Sequence, residues 1–377
     1  MHPADMIFFW ARTNPSQAAL TLADMAVTYR ELADGVETVC ERIARYDFSR
    51  DELVAVSVAH PIHKLVVSLA LWRSGISFAP VTPQLFPYLR GSGINNLIFT
   101  GEGLMLSGGR NIRFEESWLR REAEPASSAR RLQESLAGDT DVAFLPPGAG
   151  GVLEKTILPA SALTARIKML PLIGEASYAT ALILSSLNGP LGFCRAAVSL
   201  YAGKTTCLAV GAEAQLLAIA AFNIDTLIGS AVEIAGLADF MAMKATAYPV
   251  DSLREVWIDS GPADSELVGK IRTHLCRSVV AGYGSPAAGR IALASYDTLA
   301  PLSGAVGFVL PGVEVQIVGE SGAAVPAGTV GLVRCRSEYH SRMFAANNPA
   351  KGAEANDAWW HSGDRGRLTE DGLLLIE

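Results

Sequence analysis

The chain has 377 residues, half of them hydrophobic, and a formal net charge of −7. A single core stops growing near roughly 250–300 residues, so more than one lobe is expected. The acidic balance and the scarcity of Lys/Arg clusters argue against a nucleic-acid partner, which requires a basic stripe to displace counterions.

Thirty-five glycines and nineteen prolines are more than an all-helical protein tolerates, because both interrupt the interiors of elements. The start, Met1-His2-Pro3-Ala4-Asp5, has no basic region leading into an apolar stretch and a small-residue cleavage site. No secretory signal is read there, and a cytoplasmic address is expected. The most apolar stretch, Ala179 to Cys194, is broken by Asn188, Gly189, Pro190 and Gly192 and is too short to span a bilayer, so it reads as core. Cys40, Cys194, Cys207, Cys276 and Cys335 are scattered without metal-ligand spacing and read as reduced thiols in apolar surroundings.

Thr28 stands three residues before Glu31, the spacing of a capping box, and Leu32, Val36, Val39 and Ile43 follow at helical intervals, so a helix is predicted from Thr28. Leu53 to Val58 reads as a strand, Pro61 to Leu71 as a helix, and Ile76 to Val81 as a second strand ending before Pro83. Strands follow at Asn96 to Thr100, Ala179 to Leu187, Thr205 to Val210, Thr226 to Ile228 and Glu255 to Asp259, with helices after Val210 and from Asp264 to Leu275. Such alternation builds parallel sheets covered on both faces. The polar segment Glu122 to Asp139 reads as an exposed connection. Beyond Pro301 the pattern changes to short alternating strands, Val313 to Val318 and Val330 to Arg336, separated by Ser321-Gly322 and Pro326-Ala327-Gly328.

The predicted class is therefore α/β: two lobes with largely parallel sheets flanked by helices, and a small β-rich, barrel-like subdomain. The expected boundaries are 1–165, 166–300 and 301–377.

Pro146-Pro147-Gly148-Ala149-Gly150-Gly151-Val152-Leu153-Glu154-Lys155 follows the apolar run Val142 to Leu145. Glycines let backbone N–H groups converge on phosphate oxygens, and a lysine adds a cation. A surface turn would look the same, and the spacing is not that of a Walker loop.

Five further segments give that loop a context. They are Thr28-Tyr29-Arg30-Glu31-Leu32, Ser260-Gly261-Pro262, Gly282-Tyr283-Gly284-Ser285, Leu310-Pro311-Gly312-Val313-Glu314-Val315, and Trp360-His361-Ser362-Gly363-Asp364 with Asp371-Gly372. In that order they resemble the signatures of the AMP-forming adenylate-forming superfamily, the acyl-CoA synthetases and adenylation domains, over nearly the whole chain.

The resemblance implies activation of a carboxylic acid with ATP to an acyl-adenylate, then transfer to coenzyme A, with magnesium assisting. It implies that Tyr283 lies against adenine beside Ser260, Gly261 and Pro262, with Gly284 and Ser285 in the same motif. It implies that Asp364 accepts the ribose hydroxyls and that Gly148, Gly151 and Lys155 hold phosphates. No catalytic residue is identified within the chain. The partners implied are a small carboxylic acid and a nucleotide, with no membrane span, and a homo-oligomer is compatible with the pattern. Because Tyr178 to Gly192 contains no acid, an acyl-CoA synthetase is favoured over an amino-acid-activating domain.

Three departures qualify the resemblance. Pro146, Pro147, Ala149 and Gly150 stand where hydroxyl residues are expected. Pro286-Ala287 replaces the Thr-Glu pair, so Ala287 stands where the family holds magnesium with a glutamate. The sequence stops at Leu375-Ile376-Glu377, before the hinge and the C-terminal domain with its lysine. The chain by itself is therefore expected not to turn over. The alternative is a catalytically impaired relative that binds a nucleotide, an acyl ligand or a protein.

Overall fold

A computed structural model describes residues 3–23, 25–49, 52–89, 93–102, 105–120, 140–145, 155–172, 177–244, 248–338, 342–344 and 359–377. The chain divides into two compact units, one of Met1–Ser177 with Ser186–Leu208, the other of Tyr178–Ser185 with Ala209–Glu377. The expected exposed connection, Glu122 to Asp139, lies outside the described residues.

In the first unit the Tyr29–Ile43 helix opens with the reciprocal capping box its sequence predicts. The Thr28 hydroxyl accepts from the Glu31 amide at 3.2 Å, and the Glu31 carboxylate accepts from the Thr28 amide at 2.8 Å. Such a cap contributes about 1 kcal/mol by satisfying amides that the first helical turn leaves open. Leu32, Val36, Val39 and Ile43 are all buried, as their helical spacing requires.

The next helix, Pro61–Arg73, has proline at its first position and is buried at every residue from Lys64 to Trp72. It has no polar stripe, which fits a crossover helix covered on several sides. It connects Leu53–Ser57 to Ser77–Pro80, and these strands pair in parallel. Ile94–Phe99 pairs in parallel on the other side of Leu53–Ser57, Arg110–Arg113 extends that edge, and Asp141–Phe144 joins Ser77–Pro80. Lys155–Pro159 returns antiparallel beside Asp141–Phe144. Ala55, Ala79, Val81, Leu97, Phe99 and Leu145 form a buried cluster on this sheet.

The first helix, Asp5–Thr13, is anchored by Trp10, whose indole N–H donates to the Tyr201 carbonyl at 3.1 Å. Gly203, at φ +72°, lies against that indole, and a Cβ there would fall 2.6 Å from the ring. Glycine is needed both for the backbone and for the contact.

The second unit begins with four parallel strands, Thr180–Ile183, Thr226–Ser230, Glu255–Ser260 and Ser278–Ser285. The helices Ala231–Lys244 and Ser265–His274 make the crossovers. Trp257 sits in register between Ile228 and Val280 and packs with Tyr178 and Ala181. The strand at Ser278–Ser285 then turns back antiparallel into Gly289–Ser295. From there the β-rich segment continues the same sheet, through Ala305–Val309, Leu373–Ile376, Trp360–Leu368, Gly331–Arg336 and Glu314–Val318. Among the described residues no helix is long and apolar enough to cross a membrane.

Candidate functional site

Two irregularities in the second unit's sheet build the site. In the Ser278–Ser285 hairpin Tyr283 pairs with Ala292 but Gly284 with Arg290, so Ile291 is a bulge residue. A Cβ on Gly284 would meet the Gly289 carbonyl at 2.1 Å, so the close approach of the two strands demands glycine.

In the second irregularity Leu332 pairs with Arg365 and Arg334 with His361, which leaves Val333 facing Ser362, Gly363 and Asp364. The Ser362 hydroxyl donates to the Val333 carbonyl at 3.1 Å and accepts from the Asp364 amide at 3.0 Å, and Gly363 takes φ +80°. A bulge of this kind re-aims a side chain out of the ladder. Here the side chain is that of Asp364.

The two irregularities meet at a cavity of about 770 Å³, whose lining includes Ser260, Gly261, Pro262, Tyr283, Gly284 and Asp364. That volume lies within the range of small-molecule sites. The Tyr283 hydroxyl donates to the Asp364 carboxylate. Burial, and then that carboxylate, push the Tyr283 phenol above its ordinary pKa, because both disfavour phenolate. Cys335, opposite Trp360 on the neighbouring strand, is pushed up to about 12 by burial. It is a buried thiol with no nucleophilic character.

The structure thus brings together six of the sequence-predicted residues. Ser285 is not among the lining residues; its hydroxyl accepts from the Ala288 amide at 3.0 Å and closes the turn. Gly148 and Gly151 lie outside the described residues. Lys155 opens the Lys155–Pro159 strand in the first unit, and its side chain lies outside what is described.

The resemblance implies magnesium, and it places a magnesium-holding glutamate where this chain has Ala287. Ala287 is buried, and its methyl group supplies no oxygen ligand. Among the described residues no group of three or more His, Cys, Asp or Glu side chains could hold a metal ion.

Sequence reasoning missed three residues that support this cavity. Asp259 and Arg290 form an ion pair whose side chains are 0% and 8% exposed. Trp359 lies 4.6 Å from both the Arg334 and the Arg336 guanidinium groups and so anchors the strand that leads to Asp364. The alternation Arg334-x-Arg336 places both arginines on one face of a strand and was the available signal for the Trp359 contact. Nothing local marked the Asp259–Arg290 pair, because 31 residues separate its members. Glu233 was a further surprise. Tyr178 to Gly192 has no acid of its own, yet Glu233 accepts from the Ser185 hydroxyl at 2.6 Å. The same carboxylate caps its own helix through the Ser230 amide at 2.8 Å.

Residues 174–344 match the model of the AMP-binding enzyme family. Among solved structures, VinN superposes with a TM-score of 0.83 at 18% identity, covering 100% of this chain and 98% of that one. The o-succinylbenzoate coenzyme A synthetase MenE of Bacillus subtilis, in complex with AMP, superposes at 0.80 and 17% identity over 98% of this chain and 77% of that one. The amide bond synthetase McbA of Marinactinospora thermotolerans superposes at 0.77 and 21% identity over 99% and 78%.

Proposed function

Starting from a chain with the adenylate-forming fold whose residues 174–344 match the AMP-binding enzyme family, we propose that the second-unit cavity binds the nucleoside half of ATP, AMP or an acyl-adenylate. The observation that carries this reading is the convergence of Ser260, Gly261, Pro262, Tyr283 and Asp364 on one cavity from three separate parts of the sequence. Tyr283 offers an aromatic face for a base, and the backbone of Ser260-Gly261-Pro262 offers an edge without bulky side chains. Asp364 offers two carboxylate oxygens for hydroxyl donors.

The reaction this supports is AMP-forming acid ligation. A carboxylate oxygen of the acid attacks the α-phosphorus of ATP, the bond to the β-phosphate oxygen breaks, and pyrophosphate leaves. The acyl group then passes to the thiol of coenzyme A and releases AMP. Catalysis of this kind works by holding the reactants in line rather than through a covalent enzyme intermediate. The acid read as fitting is one without an ammonium group, aliphatic or aryl.

Ala287 favours a second reading, in which the chain binds a nucleotide or acyl ligand without turnover. Pyrophosphate release, measured with ATP and a panel of short, long and aryl acids beside a direct AMP titration, separates the two. Acid-dependent release supports the ligase. AMP binding without release supports the nucleoside reading of the cavity with this chain not turning over by itself, and no AMP binding at all contradicts the nucleoside reading.

A further inference from the structure

The cavity walls come from the end of the Glu255–Ser260 strand and from the Ser278–Ser285 strand. These pair in parallel only as far as Ile258 and Ala281. Beyond that point, at Ser260 and Gly282, backbone pairing no longer sets their spacing. Asp259 and Arg290 sit at this step. Asp259 immediately precedes Ser260, and Arg290 belongs to the returning strand, in register with Gly284.

The Arg290 guanidinium reaches across Gly282, where a Cβ would lie 1.8 Å from its terminal nitrogen, and it pairs with Asp259. Its guanidinium carbon lies 5.8 Å from the centre of the Trp257 ring. A planar, bidentate-capable cation is suited to holding two backbones at a fixed distance in this way, since its donors have a rigid fork geometry. The absence of a side chain at Gly282 leaves it the room.

We propose that the Asp259–Arg290 pair is a positioning clasp. It fixes the distance between the Ser260-Gly261-Pro262 turn and Tyr283, and so presets the cavity for a nucleoside. The clasp touches no ligand itself. It rests on the nucleoside reading of the cavity.

A buried pair can be removed as a unit at less cost than by half, because the half-variant leaves an unpaired buried charge. The test therefore uses Arg290→Met combined with Asp259→Leu, beside Arg290→Lys, with AMP and adenosine binding measured by calorimetry and folding by thermal melts. The expected result is a double variant that melts cooperatively, yet binds AMP and adenosine more weakly by at least about tenfold, with Arg290→Lys intermediate. Similar losses for AMP and adenosine locate the effect in the nucleoside walls. A purely structural pair would lower the melting temperature and leave the affinity of the folded protein unchanged, and that result would overturn the clasp. If Arg290→Lys alone folds, wild-type affinity in it would also overturn the proposal, since the fork geometry would then be dispensable. A wild-type chain that binds neither AMP nor adenosine would overturn the nucleoside reading, and the clasp with it.

Discussion

Tyr283 donates its phenolic hydrogen to the carboxylate of Asp364, 81 residues further along the chain. The contact ties the Ser278–Ser285 strand to the bulge in Trp360–Leu368. A ribose placed on Asp364 must share that carboxylate with the phenol or displace it. Tyr283→Phe keeps the ring and frees the acceptor, so AMP affinity is expected to hold or to rise by a few fold. Tyr283→Ala removes the ring and should weaken AMP by about two- to tenfold, from a stacking contribution of about 0.5–1.5 kcal/mol. Calorimetry with both variants checks this. If Tyr283→Phe binds as poorly as Tyr283→Ala, the hydroxyl and not the ring holds the nucleotide.

The same contact makes stability depend on alkaline pH. The folded phenol holds its proton more tightly than an unfolded tyrosine does. Its contribution is complete below a tyrosine's ordinary pKa of about 10 and is lost as pH rises through the higher folded value. Melting temperatures measured from neutral pH to above pH 10 should fall more steeply for the wild type than for Tyr283→Phe. Parallel curves would count against it.

Lys64 shows the opposite sign. It is buried on the Pro61–Arg73 helix, its ammonium donates to the Asn188 side-chain oxygen at 2.6 Å, and burial lowers its pKa from 10.5 to about 8. Below pH 8 the folded state therefore bears the cost of a charge that the unfolded state carries freely. Between about pH 8 and 10 the unfolded chain binds more protons, so stability from this group rises with pH. Lys64→Met should stabilise the protein by about 1–3 kcal/mol at pH 7, less the contribution of the lost hydrogen bond. That gain should fade near pH 10. Denaturant melts at pH 7 and pH 10 decide, and equal effects at both would show that the ammonium is not strained.

Ala287 bears on nucleotide preference. The resemblance implies a magnesium-holding carboxylate at this position, and the buried Ala287 methyl supplies no oxygen ligand for a metal-bound triphosphate. AMP should therefore bind at least as tightly as ATP, and magnesium should change the ATP affinity little. Titrations with both nucleotides, with and without magnesium, check the expectation. ATP binding that is tighter than AMP binding and dependent on magnesium would refute it.

Much of this was legible in the sequence, for reasons that differ by element. The Tyr29–Ile43 helix was readable because its cap and its apolar spacing are local. The strands at Leu53–Ser57 and Glu255–Ser260 were readable as short apolar runs between turn residues. Ser260, Tyr283 and Asp364 were found through the family resemblance and not through any property of the isolated residues. What stayed hidden was non-local. Asp364 reaches the cavity only because Val333 faces three residues, and bulge register is set by partner strands that the local pattern does not name. The Asp259–Arg290 pair was hidden for the same reason, since a buried ion pair leaves no periodic trace.

The central claim is that the cavity holds a nucleoside through Asp364, and the most direct measurement is a calorimetric titration of AMP into the wild type and Asp364→Ala. Saturable binding to the wild type is expected. In the variant the expected loss is about ten- to a hundredfold or more, since a hydrogen bond to a charged group contributes about 1.5–3 kcal/mol. Both proteins should melt cooperatively, with Asp364→Ala somewhat lower because the Tyr283 hydroxyl loses its acceptor. Wild-type protein that binds no AMP, or Asp364→Ala that binds it equally well, would contradict the account.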